Sequence, residues 1–251
     1  MSAASNPPPA PELRAAINLG NRVLATRDGN GAPQGISVGL AQALGREFGR
    51  DVSLLPFERA VDVAESAGSD LWDICFLAVD PERGKTISFT DPYVRIAGCY
   101  LVTGAAGAVS SEDVVARQLR IGVVEGSAYT LHLSRQAGAT HLVLMPDIHA
   151  ALAAFDAGEV DGIAGIEQAM RAEERLRPGS LVLMPPFMEI RQAMGVPAGR
   201  SDLFAEVRAG LARIADTGGL RAILESHGVA GNCALLPPPT QVAPGIPETR
   251  D

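Results

Sequence analysis

Residues 73–102 read DICFLAVDPERGKTISFTDPYVRIAGCYLV, and this stretch decides how the chain folds. The apolar run from Ile74 to Val79 has the length and composition of a buried strand. Asp80-Pro81-Glu82-Arg83 turns the chain and delivers an arginine. A short strand follows over Thr86 to Phe89. Thr90-Asp91-Pro92-Tyr93 turns again, and a second apolar strand runs from Ile96 to Val102. Ligand sites of α/β proteins lie at the carboxyl ends of strands. A guanidinium there suits a small anion, because its planar fork grips a carboxylate with two parallel hydrogen bonds.

Working outward, strand-like and helix-like segments alternate, which predicts parallel sheets flanked by helices. Before the opening stretch, Leu13–Leu19 and Val52–Leu55 read as strands. Gly35–Phe48 has helical spacing of Ile36, Leu40, Leu44 and Phe48, and Phe57–Ser66 reads as another helix. After it, Thr103–Val109 is a run of small residues suited to a crossover. A second series starts at Leu119, with a strand to Val124, the turn Glu125-Gly126-Ser127 and a helix. Asp147 is placed to cap a helix running to Ala157. Val160–Ile166, Glu167–Leu176 and Leu181–Met184 continue the alternation. Arg191–Val196 reads as the return to the first series, Asp202–Ala215 as an amphipathic helix and Leu220–His227 as the last helix. The expected domains are residues 12–103 plus 196–230, and 104–195, with flexible tails at 1–11 and 231–251.

Composition narrows the function classes. The chain of 251 residues is 47% hydrophobic and 20% charged, which marks it as globular and long enough for one large domain or two modest lobes. Its formal charge is −8, with no basic block interleaved with aromatics, so nucleic acid is not an expected partner. Cys75, Cys99 and Cys233 have neither metal-site nor CxxC spacing, and the four histidines lack any HExxH pattern. No phosphate loop, dinucleotide fingerprint or nucleophile elbow follows a strand, and no cofactor is expected. Buried inert thiols are the plain reading of Cys75 and Cys99, with a disulfide between them as the alternative. No apolar run reaches the length of a membrane span. The first eleven residues have no secretion-signal pattern.

The opening stretch also carries a resemblance. DPERGKTISFTDPY resembles the T-x-E-R-x-x-x-[hydrophobic]-x-F-[ST]-x-P-Y core of the family 3 extracellular solute-binding proteins, the amino-acid receptors of ABC importers. The likeness continues at Ile121–Ser127 (IGVVEGS) and at Asp156–Asp161 (DAGEVD), and it spans Leu13 to His227. It implies a two-lobed periplasmic-binding-protein-like α/β fold, with two linking strands and a cleft that closes by hinge motion. It departs from the family at Gly39, where the helix signature has an Asp.

The resemblance assigns roles to particular residues. Arg83 would clamp the carboxylate of the ligand; a solvated arginine at a turn is the alternative. Ser127, with its neighbouring amides, would bind the same carboxylate from the other lobe, or it caps its helix, or both. Ala128 replaces a second hydroxyl found in the family. Phe76 and Ala78 fall at pocket-lining positions, with plain strand core as the alternative. The family's ammonium acceptor falls on Ile166, an apolar residue, and Glu167 is one position later. Glu167 is therefore either that acceptor or an acid in a helix's first turn. An Ile166 facing the cleft would favour a carboxylate without an ammonium group.

The expected function is capture of a small anionic or zwitterionic solute and its delivery to an ABC transporter permease. The protein is expected to act as a monomer and, by the resemblance, in the periplasm. A dehydratase of the cyclohexadienyl type, with Glu167 as general acid, and a solute-sensing module are the alternatives on the same scaffold.

Overall fold

A computed structural model of the protein describes residues 11–236. The expected leader up to residue 10 and the proline-rich end from 237 lie outside the described residues.

Elements follow in chain order. The chain opens with β1 (Leu13–Asn18), the small hairpin β2 (Thr26–Arg27) and β3 (Pro33–Gln34), α1 (Ile36–Phe48), β4 (Val52–Phe57) and α2 (Ala60–Glu65). The decisive stretch forms β5 (Ile74–Ala78), β6 (Ile87–Phe89) and β7 (Val94–Thr103). Then come α3 (Ser111–Ala116), β8 (Ile121–Val124), α4 (Ala128–Leu133), β9 (Leu142–Met145) and α5 (Ile148–Asp156). β10 (Gly162–Ile166), α6 (Glu167–Leu176), β11 (Ser180–Val182), β12 (Met188–Pro197), α7 (Ser201–Asp216) and α8 (Gly219–Ser226) complete the fold.

The strand order is β4-β1-β5-β12-β7-β10-β8-β9, with β6 added on β12 and β11 on β7. β4, β1 and β5 are parallel, as are β10, β8 and β9. These two groups are the sheets of two lobes. β7 and β12 run antiparallel to each other between them and stitch both into one hydrogen-bonded sheet. The two linking strands expected from the sequence are thus the middle of the sheet. β12 is longer than the expected Arg191–Val196, because its first half pairs with β7 from Met188↔Gly98 onward.

Alternation along the strands divides the core. Ile74, Phe76 and Ala78 join Tyr93, Val94, Ile190 and Met194 on one face, in a cluster that continues into the second lobe through Tyr100, Ile121 and Leu133. Cys75 and Leu77 point the other way, toward Trp72, Val63 and Ile87. In the second lobe, Cys99, Leu101 and Ile163 back onto Phe155 and Met170. All three cysteines are free: Cys75 and Cys99 are buried in these layers and Cys233 is half-buried. Burial pushes the thiols of Cys75 and Cys99 up to about 12 and about 11.

The expected helix over Phe57–Ser66 is shorter in the structure. β4 holds its pairing with β1 as far as Asn18↔Phe57, so α2 begins only after the extended Arg59. At Gly39 a Cβ would lie 3.1 Å from the Ile223 side chain, so the departure from the family signature lets α1 sit close on α8. Residues 231–236 differ from the expected free tail. Leu235 donates its N–H to the Tyr93 carbonyl at 3.1 Å, Ala234 bridges to Val94, and Arg95 Nη2 donates to the Asn232 carbonyl at 3.3 Å. The segment therefore returns to the start of β7.

At the opposite end of β5, Asp73 anchors the first lobe. Its buried carboxylate accepts from Arg14 N at 2.9 Å, Arg14 Nε at 3.1 Å and Arg14 Nη2 at 3.0 Å, and from Arg200 Nη1 at 2.7 Å. Burial raises the Asp73 pKa, but these donors outweigh it and hold the group at about 2.

Candidate functional site

β5 ends at Ala78, and the turn after it folds back on itself. Asp80 Oδ1 accepts the Glu82 N–H at 2.9 Å, and the Asp80 carbonyl accepts the Gly84 N–H at 2.9 Å. A single 3-10 turn over Arg83–Lys85 follows. This geometry returns the Arg83 side chain to the end of its own strand, where Nη1 donates to the Ala78 carbonyl at 3.0 Å. Nη2 donates to the Gly126 carbonyl at 2.8 Å, in the β8–α4 turn of the other lobe. Arg83 is only 4% exposed, so the solvated alternative is excluded. Burial lowers its pKa, and nearby Asp80 partly restores it.

The facing turn is shaped by Gly126. Its φ is +65°, and a Cβ there would lie 2.5 Å from Val61 Cβ of α2. The two lobes therefore touch backbone to side chain at this point. Ser127 caps α4: its Oγ accepts the Thr130 N–H at 3.1 Å and lies 2.8 Å from the Thr130 hydroxyl, which in turn donates to the Val124 carbonyl at 2.6 Å. The Ser127 N–H is bonded to the Val124 carbonyl. Ala128 opens the helix and is half-buried. Toward Arg83 this turn presents a carbonyl.

Two ion pairs cross the same junction. Arg135, just beyond α4, donates from Nη2 to Asp80 Oδ2 at 2.7 Å. The Asp80 side chain is 5% exposed, whereas that of Arg135 is 44% exposed. Arg59 Nη1 lies 3.7 Å from Glu125 Oε2.

The remaining expected residues differ in what they offer the junction. Phe76 is 1% exposed, with its ring edge-on to Tyr93 at 6.5 Å, so its side chain is core. Ala78 is also core, and it meets Arg83 through its carbonyl. Ile166 shares the sheet face of Ala164 and packs against the main cluster. Glu167 is on the other side of the sheet, close enough to Cys99 to add to the burial that raises that thiol. It lies 3.6 Å from Arg171 one turn along α6. Glu167 is thus a half-buried acid in the first turn of α6, paired along its own helix with Arg171.

Sequence reasoning missed Asp80, Arg135 and Gln192. Asp80 was visible within the decisive stretch but reads as ordinary turn chemistry. Arg135 carries no local signal. Gln192 is 4% exposed on β12, in register with Ala78 and Val94, and a polar residue inside an apolar strand was the signal available. A separate cavity of about 10 Å³ in the second lobe, with Tyr100, Leu119, Ile121, Leu133 and His141 in its lining, is no larger than a water molecule needs. Among the described residues, no cluster of His, Cys, Asp or Glu could hold a metal ion, and no helix is long and apolar enough to cross a membrane.

Comparison with known proteins places this geometry. The family whose sequence model matches residues 13–230 is described as bacterial extracellular solute-binding proteins, family 3. No curated protein matches the sequence. Among solved structures, a mutant of ArgBP from T. maritima superposes with a TM-score of 0.73 at 18% identity, covering 86% of this chain and 94% of that one. A histidine kinase sensor domain similar to periplasmic binding proteins gives 0.76 at 21% identity, covering 87% and 97%. The arginine-, lysine-, histidine-binding protein ArtJ from Geobacillus stearothermophilus gives 0.72 at 18% identity, covering 87% and 95%. At these identities the likeness is one of fold.

Proposed function

The chain belongs to the bacterial extracellular solute-binding proteins of family 3, and from that premise we propose that it captures a small carboxylate-bearing solute between its lobes, an amino acid or a related organic acid. The observation that carries this reading is Arg83. It is a buried cation at the carboxyl end of a central strand, and among the described residues both of its side-chain hydrogen bonds go to neutral carbonyls, one on each lobe. A carboxylate brings a full negative charge and can take two parallel hydrogen bonds from one guanidinium, which a single carbonyl cannot. A ligand carboxylate would therefore exchange favourably with the Gly126 carbonyl.

In this reading the lobes separate about β7 and β12, admit the solute and close on it. Closure is driven by contacts that exist only in the closed form. The solute would then pass to an ABC permease from a monomeric protein outside the cytoplasm. The test is a thermal-shift screen of the standard amino acids and small mono- and dicarboxylates, on wild type and Arg83→Gln. A ligand at 100 times its Kd adds about 2.7 kcal/mol of stability. A shift seen in wild type and lost in the variant is the expected result. A shift that survives in Arg83→Gln would remove Arg83 from the site and this reading with it.

A further inference from the structure

Asp80 and Arg83 are opposite charges three residues apart, both buried, and both completed from the facing lobe. Burying a carboxylate is costly unless a cation neutralises it. The cation here is Arg135, and the pair is lopsided. Asp80 is fixed by its turn hydrogen bonds, while Arg135 is a long side chain, nearly half exposed, that can swing into solvent. Arg83 has a parallel arrangement: it is fixed against its own strand by the Ala78 carbonyl and completed across the junction by the Gly126 carbonyl. When the lobes part, both cross-junction partners leave together. A fixed anion and a fixed cation then remain side by side on one turn.

We infer that Asp80 accepts the ammonium of the ligand while Arg83 takes its carboxylate, so that Arg135 and the Gly126 carbonyl are internal substitutes that the ligand displaces. This inference rests on the proposed function and adds the residue that distinguishes a zwitterion from a simple acid. The alternatives near the junction are weaker. Glu167 is across the sheet with Arg171, and Ile166 carries no charge. Glu125 is an exposed partner of Arg59. An α-amino acid matches the pair charge for charge: its ammonium replaces the Arg135 guanidinium, and its carboxylate replaces a neutral oxygen. An ammonium-free acid would leave Asp80 paired with Arg135 and gain only the Arg83 contact.

The test is calorimetric titration of the full chain with the standard L-amino acids and their 2-hydroxy acid counterparts, the latter lacking only the ammonium. In Asp80→Asn, amino-acid affinity is expected to fall by about 30-fold or more, as for truncating one partner of a buried charge pair, while the 2-hydroxy acid changes by less than about threefold. Arg135→Gln removes the internal competitor and is expected to tighten amino-acid binding severalfold. Should Asp80→Asn fail to fold, the direction of the Arg135→Gln effect decides alone, and weaker amino-acid binding there overturns the assignment. Equal losses for both probes in Asp80→Asn, or binding of 2-hydroxy acids alone, would also overturn it. If 2-hydroxy acids bind and Arg83→Gln abolishes that binding, the proposed function stands even where this assignment falls. If neither series binds, this assignment falls, while the proposed function is decided by the wider screen of mono- and dicarboxylates.

Discussion

Burying the Arg83 guanidinium strips it of water, and two carbonyl contacts return part of what is lost. Replacing it with methionine removes that desolvation cost together with two hydrogen bonds. The opposing effects predict that Arg83→Met changes unfolding free energy by less than about 1 kcal/mol while ligand-induced thermal shifts disappear. Urea unfolding alongside the ligand screen checks this, and a loss of stability larger than the loss of binding would make Arg83 a structural residue. Asp73 is the contrasting case, a buried carboxylate with donors on every side. Its folded pKa of about 2 lies below its reference value of 3.8. A depressed carboxylate stabilises the fold fully above its unfolded pKa, and that contribution is lost as pH falls through the folded value. The shift corresponds to about 2 kcal/mol. Unfolding titrations of wild type and Asp73→Asn should therefore converge by about that amount between roughly pH 5 and pH 2. A gap independent of pH would contradict the linkage.

Among the elements, the β8–α4 turn is tightly constrained, because Gly126 combines a left-handed backbone with contact against Val61. Gly126→Ala is expected to cost about 1–2 kcal/mol from backbone strain alone, and the added methyl also wedges the lobes apart. Small-angle scattering should show a larger radius of gyration for the variant, and an unchanged radius would mean that α2 yields instead. The cap on α4 was legible beforehand, since Ser127 follows a strand and precedes a helix, and capping is local chemistry. The strands of the decisive stretch were legible for the same reason, through the unbroken apolar runs at Ile74–Val79 and Ile96–Val102, whereas the division of Ile74, Phe76 and Ala78 from Cys75 and Leu77 between two faces was not. The late start of α2 and the early start of β12 were not. Both are set by pairing with strands distant in sequence, at Asn18↔Phe57 and Met188↔Gly98. The Asp80–Arg135 pair was hidden likewise, because its members are 55 residues apart and each looks ordinary in its own neighbourhood.

For the whole molecule, continuity of the sheet sets how the lobes can move. β7 and β12 are hydrogen-bonded to each other and link both lobes, so the proposed opening would twist two paired strands rather than swing a loose linker. The repeated βα series made the two-lobed plan readable from sequence, whereas the fusion of both sheets needed the antiparallel register, which no local pattern encodes. Residues 231–236 sit on the start of β7, where that twist begins, and they carry Cys233. Thiols with raised pKa values in a packed interior are poor nucleophiles. A maleimide at neutral pH should therefore modify one cysteine per chain in the folded protein and three after unfolding, as mass spectrometry would count. The chain thus comes with a built-in labelling handle. An environment-sensitive fluorophore on Cys233 would report motion at the pivot optically, in real time and without an engineered cysteine.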